Sequence, residues 1–152
     1  MAIERGRRPA IFMLFLLYVV GVVAVTIFPI TAHDAPYWAA EPWWTVFQWV
    51  PFQVDAPSFV GNVIMFVPLG ALAPLLWPVT DSMRRLAVRA VCASAGIELT
   101  QFVLGMTVGS RRTVDVNDLI ANTAGALLGL LVLRLALPAA AHRRRVAVGP
   151  PH

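Results

Sequence analysis

Two stretches of this chain, residues 9–30 and 58–79, contain no charged side chain, and two more, 86–109 and 119–141, come close. The third holds only Arg89 near one end and Glu98 within it; the fourth holds only Arg134 near its far end. A helix rises about 1.5 Å per residue, so about 20 residues cross the ~30 Å of hydrocarbon in a bilayer. Each run is that long. Of the 152 residues, 59% are hydrophobic and 13% charged, against about half and about a quarter in an average soluble domain. Four spans consume most of the apolar positions, which excludes a large soluble catalytic domain. The expectation is an all-α, integral membrane four-helix bundle forming a single domain over 1–152, with transmembrane helices over about 10–30, 58–79, 86–108 and 117–140.

The first run could serve as a cleaved signal peptide, because Arg5, Arg7 and Arg8 precede it and small residues follow at Ala32, Ala39 and Ala40. Its length exceeds the 7–15 residues typical of such segments, so it reads as a retained span. All 12 basic residues are arginines, and they lie in short clusters beside the apolar runs. The net charge of +4 therefore reflects topology and not nucleic-acid binding. Arg5, Arg7 and Arg8, then Arg84, Arg85 and Arg89, then Arg143, Arg144 and Arg145 all belong on the cytoplasmic side. The loop 31–57 has no basic residue and carries Asp34, Glu41 and Asp55, which suits the outside. Both termini are then cytoplasmic, and only Arg111 and Arg112 break the pattern. Cys92 is the single cysteine, so neither a disulfide nor a thiolate metal site forms within the chain.

The outer loop is aromatic: Tyr37, Trp38, Trp43, Trp44, Phe47, Trp49 and Phe52 fall within 16 residues. Such rings favour the headgroup layer, where a flat apolar body and a polar N–H or O–H are both satisfied. Residues 41–50 are expected to lie in the interface as a short helix, serving as an anchoring belt or as a platform for an amphiphilic ligand. Residues 142–152 read as a disordered, basic cytoplasmic tail.

Polar residues inside the last two spans are spaced informatively. Ser94, Glu98 and Gln101 fall at i, i+4 and i+7, on one helical face. Asp115, Asp118, Asn122, Gly125 and Gly129 make a continuous stripe if the fourth helix begins near Asp115, which is then its N-cap. In the second span, Asn62 lies near the outer end, while Pro68 and Pro74 remove the amides that would bond the carbonyls of Ile64 and Gly70, so a kink with free acceptors is expected. Glu98 lies deepest, about 10–15 Å inward from the end of the third span. An acid at depth costs on the order of 2.5–3.5 kcal/mol and must be protonated, paired or wet. These residues predict an outward-facing polar pocket between spans two, three and four, with Glu98 at its floor and Arg112, Asp115 and Asp118 at its mouth. Gly125-x-x-x-Gly129, with Asn122, reads as helix packing.

The same residues resemble the VanZ-like family of small bacterial membrane proteins. The pattern runs through Pro51-Phe52, Asn62-x-x-x-Phe66-x-Pro68-Leu69-Gly70, Glu98-x-x-Gln101, and Arg112-x-x-Asp115-x-x-Asp118-x-x-x-Asn122-x-x-Gly125-x-x-x-Gly129, covering residues 51–129. The resemblance implies a protein of the bacterial plasma membrane, in a family named for a member linked to resistance against the glycopeptide teicoplanin. It implies no reaction mechanism.

Three readings stay open. The preferred one is a non-enzymatic envelope protein whose pocket and aromatic loop engage a lipid-linked cell-wall component or a glycopeptide antibiotic. The second is a membrane enzyme acting on a lipid-linked substrate through Glu98, Asp115, Asp118 and Arg112. None of His33, His142 and His152 lies near that cluster in sequence, and no cofactor or metal site is expected. The third is a structural subunit whose polar cluster locks the bundle or recruits a partner membrane protein or a second copy of the chain.

Overall fold

The computed structural model describes residues 6–28, 42–108 and 113–148. Four helices carry the fold: α1 (Arg8–Ile27), α2 (Ala56–Leu76), α3 (Met83–Val108) and α4 (Val116–Val148). All four contain stretches long and apolar enough to cross a membrane. Two-residue strands, β1 (Phe47–Gln48) and β2 (Val114–Asp115), pair in parallel and tie the loop before α2 to the start of α4.

Helix ends follow local chemistry. Phe28 is extended before Pro29, as a residue preceding proline prefers. Asp55 caps α2 by accepting from the Ser58 amide at 3.1 Å. The same helix ends at Leu76, three residues before the expected limit, with Trp77 as its cap, because Pro78 opens a separate 3₁₀ turn, Pro78–Thr80. The α2 helix runs through both Pro68 and Pro74.

The short helix expected within 41–50 is present as a single 3₁₀ turn, Trp43–Val46, shorter than expected because Phe47 and Gln48 are extended. Aromatic residues suit an extended backbone, and pairing with β2 satisfies it better than an isolated helical turn would. One expectation is corrected. The basic tail is not disordered from residue 142: α4 continues to Val148. Alanine and arginine are strong helix formers, and extending an existing helix avoids the cost of nucleation.

The most extensive packing joins α2 to α4, which run parallel. A Cβ on Gly125 would meet the carbonyl of Val63, one on Gly129 that of Val67, and one on Gly70 that of Ala126. The missing side chains let the two backbones touch, which is how helices associate where lipid removes the hydrophobic drive between them. Phe66, Leu86, Ala90, Ala126 and Leu130 form the buried core beside this seam. Helix α1 is peripheral, with Thr26 as its buried residue. Its contacts include the Phe15 ring edge-on to Trp77 at 5.1 Å, and Arg8 donating to the Leu76 carbonyl at 3.2 Å.

The two ends of the bundle differ chemically. At one end Arg134 grips Asp81 at 2.9 Å, and Arg8 donates to the Leu76 carbonyl at the close of α2. At the other end lie Asn62, Glu98, Asp118 and the β1–β2 pair.

Candidate functional site

Asp115 initiates α4 as expected for an N-cap: its Oδ1 accepts from the Asn117 amide at 2.8 Å. From there α4 runs antiparallel to α3, and polar residues pair in rungs four residues apart. Asn122 donates to Ser94 Oγ at 2.8 Å, with both residues buried. One turn nearer the loops, the Glu98 and Asp118 side chains are hydrogen-bond partners. A bond between two carboxyls requires a proton on one of them, since ionised carboxylates only accept. The Asn62 amide of α2 donates to Asp118, and the Asp115 backbone N–H donates to Glu98.

The last contact sets Glu98 against the start of α4. Helix α3 ends at Val108, ten residues and about 15 Å beyond Glu98. Yet the first residues of α4 meet Glu98 directly, so α3 overshoots the start of its partner. Measured from Met83, the first residue of α3, Glu98 sits about 22 Å up the helix. The distance of Glu98 from the end of α3 matches the expected value of about 10–15 Å, but its distance from the start of α4 is far shorter, because the two helices do not end together.

Beside this carboxyl pair is a groove of about 330 Å³. Ala95, Leu99 and Phe102 of α3 form one wall, and Val116 and Leu119 of α4 the other. Phe47 and Trp49 cover its loop end, stacked at 5.1 Å with planes 5° apart, and Phe102 lies 5.3 Å from Phe47. Glu98 is 5% exposed and contributes to the lining, and its Oε2 has no hydrogen-bond partner. Leu99 is 62% exposed, so the groove opens sideways, toward the surface that lipid would cover. The cavity lies between α3, α4 and the loop carrying β1, and among the described residues none of α2 lines it, so the pocket expected between spans two, three and four is formed without span two.

Asn62, Glu98, Asp115 and Asp118 therefore come together. Asn122 is one rung further from the loops, paired with Ser94. Gln101 is turned away and donates to the Thr26 carbonyl of α1 at 2.8 Å. Gly70, Gly125 and Gly129 lie in the α2–α4 seam, with Pro68 on the α2 side. Arg111 and Arg112 fall outside the described residues.

Sequence reasoning missed Asn117, which is 1% exposed. Its Oδ1 accepts from the Phe52 amide at 2.7 Å, and its Nδ2 donates to the Val50 carbonyl at 3.2 Å and to Asp115 Oδ1 at 2.8 Å. One side-chain amide thus fixes the turn after β1, where Phe52 adopts a left-handed φ of 65°, a conformation costing roughly 1–2 kcal/mol for a residue with a Cβ. This latch holds the aromatic cover over the groove. The resemblance motif Pro51-Phe52 was the available signal, but its partner is 65 residues away.

The sequence model of a family described as VanZ/LLP1 matches residues 15–137, most of the chain. Comparison with curated proteins and with solved structures finds no match.

Proposed function

We propose that this chain, which belongs to the VanZ/LLP1 family of membrane proteins, is a non-enzymatic envelope protein of the bacterial plasma membrane that holds an amphiphilic ligand in the groove beneath Phe47 and Trp49. The ligand class is a glycopeptide antibiotic or a lipid-linked cell-wall component. The observation that carries this reading is an apolar groove, covered by Phe47 and Trp49 and open along Leu99, whose lining includes Glu98, an acid only 5% exposed.

The orientation supporting this role places both termini in the cytoplasm and the carboxyl end outside. Arg8, Arg84, Arg85, Arg89 and Arg134 gather toward one end of the bundle, as the bias of arginine toward the cytoplasm favours. A structural reading has one specific support: the Ser94–Asn122 rung joins two helices without reaching the groove. It accounts for that rung and not for the groove.

Filling the groove tests the proposal. Leu99→Trp, introduced into the native host, is expected to leave the protein level in the membrane unchanged while abolishing any difference that gene deletion makes to teicoplanin relative to vancomycin susceptibility, or to the lipid-linked wall precursors. A groove-filled variant indistinguishable from wild type in both assays would remove the groove from the function.

A further inference from the structure

The end of the bundle opposite the groove carries the converse chemistry. Arg8 opens α1, Arg84 and Arg85 lie in the first turn of α3, and Arg89 follows one turn beyond Arg85. Asp81 is held by Arg134 at 2.9 Å. The chain segments that lead to this end bring one further acid, Glu4, whose charge its neighbour Arg5 offsets. The end is therefore strongly positive. We propose that it binds an anionic phospholipid, whose phosphate is drawn to Arg8 and Arg89 beside Trp77 and whose acyl chain lies in the cleft between α1 and α3. The site is independent of the groove under Phe47 and Trp49.

Three observations support it. First, two cavities, of about 440 and 390 Å³, share Trp77 as a wall, with Arg8 in the lining of one and Arg89 in that of the other. A phosphate presents several acceptor oxygens and suits more than one guanidinium. Second, both arginines keep donors in hand. A guanidinium has five N–H donors; among the described residues, Arg8 spends one on the Leu76 carbonyl at 3.2 Å and Arg89 one on the Arg85 carbonyl at 3.4 Å. The latter bond turns the Arg89 side chain back toward the start of α3, as a long cationic side chain turns to reach the headgroup layer. Third, the cleft orders polarity as a lipid does. Arg89 and the Pro78–Thr80 turn border its head, while Phe15 of α1, Leu69 and Ala73 of α2, and Ala93 of α3 line it below. Ala73 and Leu69 fall one and two turns inward from Trp77, so charge gives way to hydrocarbon over about 12 Å.

The cleft arises because α1 is fastened to different neighbours at its two ends. Near Arg8 it is tied to α2 through the Leu76 carbonyl, and the Phe15 ring stands edge-on to Trp77 at 5.1 Å. Near its other end, Gln101 of α3 reaches the Thr26 carbonyl at 2.8 Å. The arginine end of α1 thus leans on α2, and the space it leaves beside α3 is the cleft. Ala93 is exposed there, and its small side chain leaves room for a methylene chain. Basic pockets between membrane helices are suited to anionic headgroups in this way.

The experiment uses the full-length protein extracted from vesicles of equimolar phosphatidylglycerol and phosphatidylcholine with matched acyl chains, and counts the lipids that stay bound by native mass spectrometry. Retained phosphatidylglycerol is expected to exceed phosphatidylcholine about ten-fold, equivalent to about 1.4 kcal/mol. The double variant Arg8→Ala/Arg89→Ala is expected to abolish the enrichment. Arg84→Ala/Arg85→Ala, which removes the same charge from residues outside both cavity linings, is expected to keep most of it. Ala93→Trp, which fills the chain cleft, is expected to lower retention of both lipids. Equal retention of the two lipids by the wild type overturns the proposal, and that ranking needs no variant to fold. Enrichment that both arginine pairs reduce alike reflects a diffuse positive field and overturns the site. Retention that Ala93→Trp leaves unchanged, or that excess inorganic phosphate abolishes, overturns the docking of the acyl chain. None of these outcomes bears on the groove under Phe47 and Trp49, so the two readings fail separately.

Discussion

Helix α1 and the α2–α4 pair are made of similar material and behave in opposite ways. The most apolar 18-residue window of α1 has mean hydropathy 2.8, against 2.0 for α2 and 1.8 for α4. Yet α1 shows its side chains to the outside, with Leu17 65% and Val20 60% exposed, whereas α2 and α4 touch backbone to backbone. Apolarity decides that a segment enters the bilayer; it does not decide what the segment packs against, because lipid tails are as apolar as leucine. Partner choice comes from absent side chains and from polar groups that need one another. Helix α1 has few of either.

The sharpest way to break this contrast is to put identical side chains in both places. Leucine at Gly125 or Gly129 would drive carbon into the carbonyls of Val63 or Val67, and backbone cannot move aside as a flexible side chain can. Each substitution is expected to cost more than about 3 kcal/mol, at the upper end of overpacking, and to be seen as loss of monodisperse protein after detergent extraction. Leucine at Gly21 of α1, where a Cβ meets nothing within 4 Å, should change stability by less than about 0.5 kcal/mol. Equal damage at Gly21 and Gly129 would mean that α1 has a packed neighbour after all.

A smaller effect is expected at the loop latch. Asn117→Ala leaves the Phe52 amide and the Val50 carbonyl without the partner they have now, costing about 1–3 kcal/mol. Hydrogen exchange at Phe52 should rise, and the aromatic cover over the groove should loosen, while the glycine seam stays intact. Phe52→Gly in the same background should return part of the loss, since glycine adopts the left-handed φ without penalty.

The latch also marks where sequence stopped being informative. The four spans, the N-cap at Asp115, the glycine seam and the convergence of Glu98 with Asp118 were all legible, because each rests on spacing within one helix or on a property of the whole segment. Asn117 was not: it lies off the stripe of Asp115, Asp118 and Asn122, and its partners are 65 and 67 residues away. Gln101 misled for the converse reason. It shares a helical face with Glu98, but a long side chain near the end of α1 finds the Thr26 carbonyl first. The tail was misread because its charge was weighed and its helix propensity was not.

Between latch and periphery stands the Ser94–Asn122 rung, buried between α3 and α4. A double-mutant cycle with Ser94→Ala and Asn122→Ala is expected to give a coupling of about 0.6 kcal/mol, with a ceiling near 1.7 kcal/mol, as for other hydrogen bonds between membrane helices. Reversible unfolding in bicelles measures it. A coupling of several kcal/mol would move the specificity of the bundle from the glycine seam to its polar rungs, and with it the meaning of the contrast with α1.

The smallest effect is expected where α1 meets the rest. Gln101 donates to the Thr26 carbonyl, in the last turn of α1, where helix carbonyls lack intrahelical donors. Gln101→Leu removes that donor near the bilayer boundary, where water or a headgroup can replace it. The expected cost is at or below about 0.6 kcal/mol, with no change in the Ser94–Asn122 coupling measured in the same background, since the two sites share no partner. If Gln101→Leu instead weakened that coupling, α1 would be an integral member of the bundle, and the exposure of its apolar side chains would mark a surface that stabilises the other three helices from outside.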